Sequence, residues 1–138
     1  MSSHKRDILK QVPLFSNLSN KNLDEISMIS DEVQKKAGTV LAKEGDVGSE
    51  FILIVEGEAR VEKGGKTINN LPSSSFFGEV SIIDGKPRTA TVIADTDVKL
   101  LVIHSRFFHE LLAKVPGLAK EILLALCQYL REAESKNL

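Results

Sequence analysis

The sequence predicts a mainly β domain, a jelly-roll-like β-roll with N-terminal helices and two C-terminal helices. Three observations carry this. Apolar residues recur at helical spacing before Asp31 and again after Ser105. Between Val33 and His104 the pattern changes to short β-rich runs punctuated by glycine, as in an all-β roll or sandwich. The length, 138 residues, fits one domain that buries a little under ~70% of its unfolded surface. A single domain over residues 1–138 is therefore expected, with N-terminal helices at about 5–31, the roll at about 33–104 and C-terminal helices at about 105–135.

Each element has a local cause. Ile8, Leu9 and Val12 form one helical stripe, and Pro13 prevents its continuation. Ser19 caps a second helix that buries Leu23, Ile26 and Ile29 and ends near Asp31. Val40 and Leu41 lead into the turn segment Lys43 to Gly48. Phe51 to Val55 is a β-rich run, Glu56-Gly57-Glu58 interrupts it, and Ala59, Val61 and Lys63 begin an alternating strand. Gly64-Gly65 is a hairpin turn leading to Lys66-Thr67-Ile68. Strands at Thr89–Ala94 and Val98–Ile103 complete the roll. Ser105 caps a helix carrying Phe107, Phe108, Leu111 and Leu112, which Pro116-Gly117 ends. The final helix, from about Leu118 to Ala133, is apolar around most of its girth at Ile122 to Cys127, so a cover for its second face is expected.

Composition removes several classes of function. With 18 Lys+Arg against 19 Asp+Glu and a formal charge of -1, no basic face for nucleic acid is expected. The longest apolar run, Ile122 to Cys127, is far short of the ~20 residues that span a bilayer. Met1 to Asp7 lacks a secretory signal's apolar stretch. One cysteine allows no internal disulfide, and a reducing, cytoplasmic setting is expected. Cys127, within the apolar helical run, is expected to be a buried, inert thiol. His104 and His109 are not spaced as a metal pair and His4 is terminal, so no metal site is expected. Lys35-Lys36 and the tail Glu132 to Lys136 are expected on the solvated surface. Phe76, Phe77, Phe107 and Phe108 are expected in the core, and Gly45, Gly48, Gly57 and Gly85 to form turns.

The chemistry concentrates in Phe76-Phe77-Gly78-Glu79-Val80-Ser81-Ile82-Ile83-Asp84-Gly85-Lys86-Pro87-Arg88-Thr89-Ala90-Thr91-Val92. Gly78 permits close backbone approach, and Glu79 to Ile83 can form one helical turn whose free N–H groups favour an anion. Asp84-Gly85 turns the chain, and Pro87 fixes it so that Arg88 begins a strand. A guanidinium is a planar fork of donors that matches two phosphate oxygens, and the Ser81 and Thr89 hydroxyls can add to it. Glu79 only accepts, so it suits a sugar hydroxyl. One fork, one carboxylate and one N–H cradle describe a nucleotide monophosphate site.

This segment resembles the phosphate-binding cassette of the cyclic nucleotide-binding domain family, found in protein kinase A regulatory subunits, cyclic-nucleotide-gated channels and catabolite activator proteins. Gly78, Glu79, Val80, Ser81, Arg88, Thr89 and Ala90 fit its pattern, and Gly45-Asp46 through Gly57 resembles its glycine-punctuated hairpin. A lone arginine is ordinarily a surface ion-pair partner; seven matches in one context are what assign it a ligand. The resemblance implies a non-catalytic module without a cofactor, whose ligand is cAMP, cGMP or both. It places Glu79 on the ribose 2′-hydroxyl and Arg88 on the exocyclic phosphate oxygens. Amides near Ser81 and Ala90, with the Ser81 and Thr89 hydroxyls, complete the shell. Threonine after the arginine is associated with tolerance of the guanine nucleotide. Family members also place a capping residue of the last helix over the base, which makes Tyr129, Leu130 and Arg131 the candidates here.

The implied output is movement of the C-terminal helix, read by an unidentified effector protein, with that helix also available as a homodimer seam. Two other functions compete. A DNA-binding regulator needs a helix-turn-helix after the long helix, and none precedes Leu138. A roll that binds no ligand and only presents surfaces to a protein partner is the closer alternative.

Overall fold

The computed structural model describes residues 2–78, 85–115 and 117–137, the side chains at 2, 3, 129 and 133–137 excepted. The chain forms two compact units. One is helical, comprising the residues up to Met28 and those from His109 onward; the other runs from Ile29 to Phe108 and contains the strands.

In the helical unit, α1 spans Ser2–Lys10 and α2 spans Asn20–Ile29. After Lys10 the chain tightens: the Gln11 and Val12 amides donate to the Ile8 and Leu9 carbonyls, both at 3.1 Å. These i→i−3 bonds carry the turn up to Pro13, whose ring blocks further helix. Ser19 caps α2 as expected, its Oγ accepting from the Asn22 amide at 3.1 Å. Leu23 and Ile26 are fully buried, and the buried Ser27 hydroxyl donates to the Leu23 carbonyl at 2.9 Å. The Lys5 ammonium donates to the Ser27 carbonyl and Arg6 pairs with Asp24, each at 3.3 Å, tying α1 to α2.

Two four-stranded antiparallel sheets make the second unit. The strands are β1 Ser30–Lys35, β2 Val40–Ala42, β3 Glu50–Glu56, β4 Ala59–Lys63, β5 Lys66–Leu71, β6 Phe76–Phe77, β7 Thr91–Ala94 and β8 Val98–His104. Their orders are β1-β8-β3-β6 and β2-β7-β4-β5. Inward residues of both sheets form one core: Ile52, Ile54, Phe77, Val98, Leu100 and Val102 from the first, Ala42, Ala59, Val92 and Ala94 from the second. Phe51, Leu53, Leu101 and Ile103, on the other face of β3 and β8, are buried as well. Burial on both faces is why these strands read as continuous apolar runs instead of alternating. Phe51 stacks on Phe76 and on Phe108, with centroids 5.4 and 4.8 Å apart.

The turn between β4 and β5 has positive φ at both Gly64 (58°) and Gly65 (81°), the geometry of a tight hairpin that only glycine accepts readily. The expected mainly β roll with flanking helices is thus present. Beyond shifts at the ends of the first and last helices, the element bounds differ in three places. α2 stops at Ile29, because Ser30–Lys35 pairs with β8 in the register Ser30↔Ile103. That partnership is non-local, and a strand reading Ser-Asp-Glu-Val-Gln-Lys has no apolar alternation to announce it. Phe76–Phe77 is a short strand on β3. The strand expected from Thr89 starts at Thr91.

The last two helices are α3, Ser105–Lys114, and α4, Leu118–Asn137. Pro116, expected to end α3, lies outside the described residues. Leu118 and Ile122 are buried, but Leu123, Leu124 and Leu130 are more than half exposed. Cys127 is exposed as well, which corrects the expected buried thiol. It lies about 140° around the helix from Ile122 and so falls off the buried stripe. Phe76, Phe77 and Phe108 are in the core as expected, and Phe107 is half-buried, with the Arg106 guanidinium 5.0 Å from its ring centroid. Among the described residues no helix is long and apolar enough to cross a membrane.

Candidate phosphate site

The site grows from two chain segments that lace together. Ahead of β3, the Asp46 amide donates to the Lys43 carbonyl at 3.2 Å, closing a turn in which Gly45 has φ 91°. Leading into β7, the chain from Gly85 crosses this turn. Val47 and Pro87 form an antiparallel bridge. The Arg88 amide donates to the Asp46 carbonyl at 2.7 Å, and the Gly45 amide donates to the Arg88 carbonyl at 2.9 Å. The Glu44 amide donates to the Thr91 hydroxyl oxygen at 3.0 Å. The backbone of Arg88 is therefore held on both its polar groups by an isolated antiparallel bridge, ahead of β7 and not at the start of that strand.

Its side chain is oriented too. Arg88 is half-buried, and its Nη2 donates to the Glu50 carbonyl at 3.3 Å. This bond to a main-chain carbonyl helps to set the direction of the guanidinium. The backbone at Gly48 lies against the guanidinium, and a Cβ built there would be 2.8 Å from Cζ. Gly78, with φ 99°, closes another side: a Cβ there would overlap the Glu50 carbonyl oxygen and come within 3.3 Å of Arg88 Nη1. Gly78 thus needs glycine twice over, for its backbone angle and for the approach of β3.

Of the residues expected to bind ligand, Gly78 and Arg88 are brought together, with Thr89 exposed and Ala90 half-buried beside them. Glu79, Val80 and Ser81 lie outside the described residues, as does the helical turn expected over Glu79 to Ile83. Leu130 and Arg131 are exposed on α4, in the helical unit, and the Tyr129 side chain is outside the description. Gly48 and the Glu50 carbonyl were not singled out as ligand-side elements. Gly48 was expected to form a turn, yet among the nine glycines it is the one without a positive φ. Gly45, Gly57 and Gly85 do take positive φ, at 91°, 96° and 71°. Glycine spacing alone cannot separate a glycine that turns from one that makes room.

Several other charged groups of the β unit form ion pairs. Arg60 hydrogen-bonds Glu62 and Asp95, and these bonds raise its pKa above the ordinary guanidinium value. A depression of about 410 Å³ lined by Gln34, Lys35, Lys36, Glu56, Asp97, Val98 and Lys99 contains none of the expected site residues. Two of its lysines face carboxylates: Lys36 is 3.9 Å from Asp97, and Lys99 is 3.9 and 3.8 Å from Glu32 and Glu56. Among the described residues no cluster of three metal-ligating side chains occurs.

Comparison with known proteins agrees with this geometry. Residues 32–115 match the family model of the cyclic nucleotide-binding domain. The cAMP-dependent protein kinase regulatory subunit of Hypocrea atroviridis is 39% identical over 117 residues, which cover 83% of this chain and 25% of that protein. A cyclic nucleotide-gated potassium channel of Rhizobium etli is 36% identical over 115 residues, covering 83% and 32%. The chain thus spans about a quarter to a third of the length of these relatives. Among solved structures, the catabolite activator protein of Thermus thermophilus superposes with a TM-score of 0.80 at 27% identity, over 90% of this chain and 61% of that one. The regulatory domain of Toxoplasma gondii PKA, crystallised with cAMP, gives 0.80 at 21% identity, over 93% and 49%, a likeness of fold. On the cassette residues, the two-sheet roll and the matched span together, the chain belongs to the cyclic nucleotide-binding domain family.

Proposed function

We propose that the chain is a non-catalytic cyclic nucleotide sensor in which Arg88 holds the cyclic phosphate of cAMP, cGMP or both. The observation that carries this is the guanidinium of Arg88, aimed by a main-chain carbonyl and held over Gly48 at the two ends of the 78–88 cassette. In this reading Glu79 takes the ribose 2′-hydroxyl, and amides around Ser81 and Ala90 surround the phosphate with the Ser81 and Thr89 hydroxyls. Thr89, exposed beside Arg88, meets the guanine amino group and admits cGMP. The residues Tyr129 to Arg131 on α4 supply the base cap, and capping passes the signal through α4 to an effector protein. The nucleotide shifts an existing equilibrium by its differential affinity for the capped state.

Titration calorimetry of the wild type and Arg88→Ala with cAMP and cGMP tests the reading. Charge-assisted hydrogen bonds contribute about 1.5–3 kcal/mol each, and removing one partner of a buried charged contact costs roughly 2–5 kcal/mol. Arg88→Ala should therefore raise Kd at least ~10-fold. An unchanged Kd in the variant rejects Arg88 as the phosphate ligand. Absence of heat or thermal shift with either nucleotide at millimolar concentration leaves the roll as a protein-interaction module.

A further inference from the structure

We propose that Gly48 is a positioning residue for the anion site, its missing side chain forming the seat on which the Arg88 guanidinium lies; this rests on reading Arg88 as the phosphate ligand. Two independent facts about Gly48 support the assignment. Its φ is not positive, unlike those of the other eight glycines, so its backbone conformation is open to any residue. Conformation therefore does not explain a glycine there. Space does. A Cβ at Gly48 would meet Cζ and Nη2 of Arg88 at 2.8 Å and Nε at 2.9 Å. Near-equal distances to three atoms of one planar group put that Cβ over the face of the guanidinium, not at its rim. Gly48 is buried although its neighbours Val47 and Ser49 are exposed, and Arg88 is half-buried.

What must yield to a side chain at 48 follows from the neighbouring bonds. The Arg88 backbone is pinned to Asp46 and Gly45 by hydrogen bonds of 2.7 and 2.9 Å. The guanidinium is the far end of a flexible side chain, and its bond to the Glu50 carbonyl, at 3.3 Å, is longer than either backbone bond. The side chain is the part that moves. Gly48→Ala thus displaces the fork from its aim while the roll keeps its packing, which separates a positioning role from a structural one. A fork matches two phosphate oxygens only in one plane, so a small tilt forfeits the bidentate contact that an ammonium would not need.

The experiment is a double-variant cycle of Gly48→Ala and Arg88→Ala, read by calorimetric Kd for cAMP and cGMP and by thermal unfolding. Gly48→Ala is expected to raise Kd at least ~10-fold with little change in Tm, and to change neither quantity further in the Arg88→Ala background. Where Arg88→Ala does raise Kd, an unchanged Kd in Gly48→Ala, or the same loss of Tm in both backgrounds, overturns the assignment and makes Gly48 a structural glycine or an indifferent one. A ligand-free measurement keeps this separate from the functional reading. The Arg88 Nε–H resonance in a heteronuclear NMR spectrum of the apoprotein should shift in Gly48→Ala. If it does shift while Arg88→Ala leaves Kd unchanged, the seat stands and the phosphate role falls; if it does not, the seat itself is rejected.

Discussion

The Ser49 carbonyl accepts a hydrogen bond from the Ser105 amide at 2.8 Å, so the stretch that meets Arg88 through Gly48 and Glu50 also anchors the first residue of α3. Gly48, Ser49 and Glu50 thereby join Arg88 to the first residue of α3. In the proposed function, a nucleotide that stiffens the Gly48–Glu50 segment should be felt at Ser105, one hydrogen bond away. With the proposed nucleotide bound, hydrogen exchange at the Ser105 amide should slow relative to the apoprotein. Equal exchange with saturating cAMP and without it would remove this link from the signalling route.

Glu79 can be tested through the hydroxyl it is proposed to hold. Glu79→Ala should weaken cAMP at least ~10-fold, because a carboxylate acceptor is worth about 1.5–3 kcal/mol. Against 2′-deoxy-cAMP the same substitution should cost almost nothing, since the partner is already gone. A full loss with the deoxy compound would assign Glu79 a role away from the sugar.

Thr89 is exposed and follows Arg88 directly. Thr89→Ala should weaken both nucleotides through the lost phosphate contact and cost cGMP a further factor of roughly 2 to 12, the worth of one neutral hydrogen bond of about 0.5–1.5 kcal/mol. Equal changes for both nucleotides, measured by competition, would show that the hydroxyl does not read the base.

Phe108 carries stability and not affinity. It is 2% exposed and stacks at 4.8 Å on Phe51, itself stacked on Phe76. Phe108→Ala should destabilise by about 3–5 kcal/mol, through lost burial and an unfilled cavity. Urea unfolding checks it, and a loss below 1 kcal/mol would mean the site collapses around the gap.

Much of the architecture was legible because its causes are local. Ser19 before an apolar stripe and Gly64-Gly65 between two runs each specify their element from neighbours in sequence, whereas the cap read at Ser105 falls on His104, whose Nδ1 accepts from the Arg106 amide at 3.3 Å. Where partners are distant, legibility failed. Ser30–Lys35 is a strand because β8 pairs with it, and the exposed Cys127 follows from which stripe of α4 is buried. Gly78 and Arg88 were identified as neighbours because the residue types between them repeat a family's pattern. Gly48 was passed over because nothing beside it in sequence reveals the side chain lying on it.

By itself, the amino-acid order determined the mainly β roll with helices at its ends, the family, and the guanidinium on which the proposed chemistry turns. Those follow from periodicity, turn residues and side-chain chemistry, properties each residue carries with it. Only the tertiary structure decided that the Arg88 backbone is held by Gly45 and Asp46, that its fork is aimed by the Glu50 carbonyl, and that Gly48 makes room for it. The contacts between positions 45–50 and 88 join segments some forty residues apart in the chain. Their geometry comes from how two antiparallel sheets close on a shared core, a quantity no local window of sequence contains.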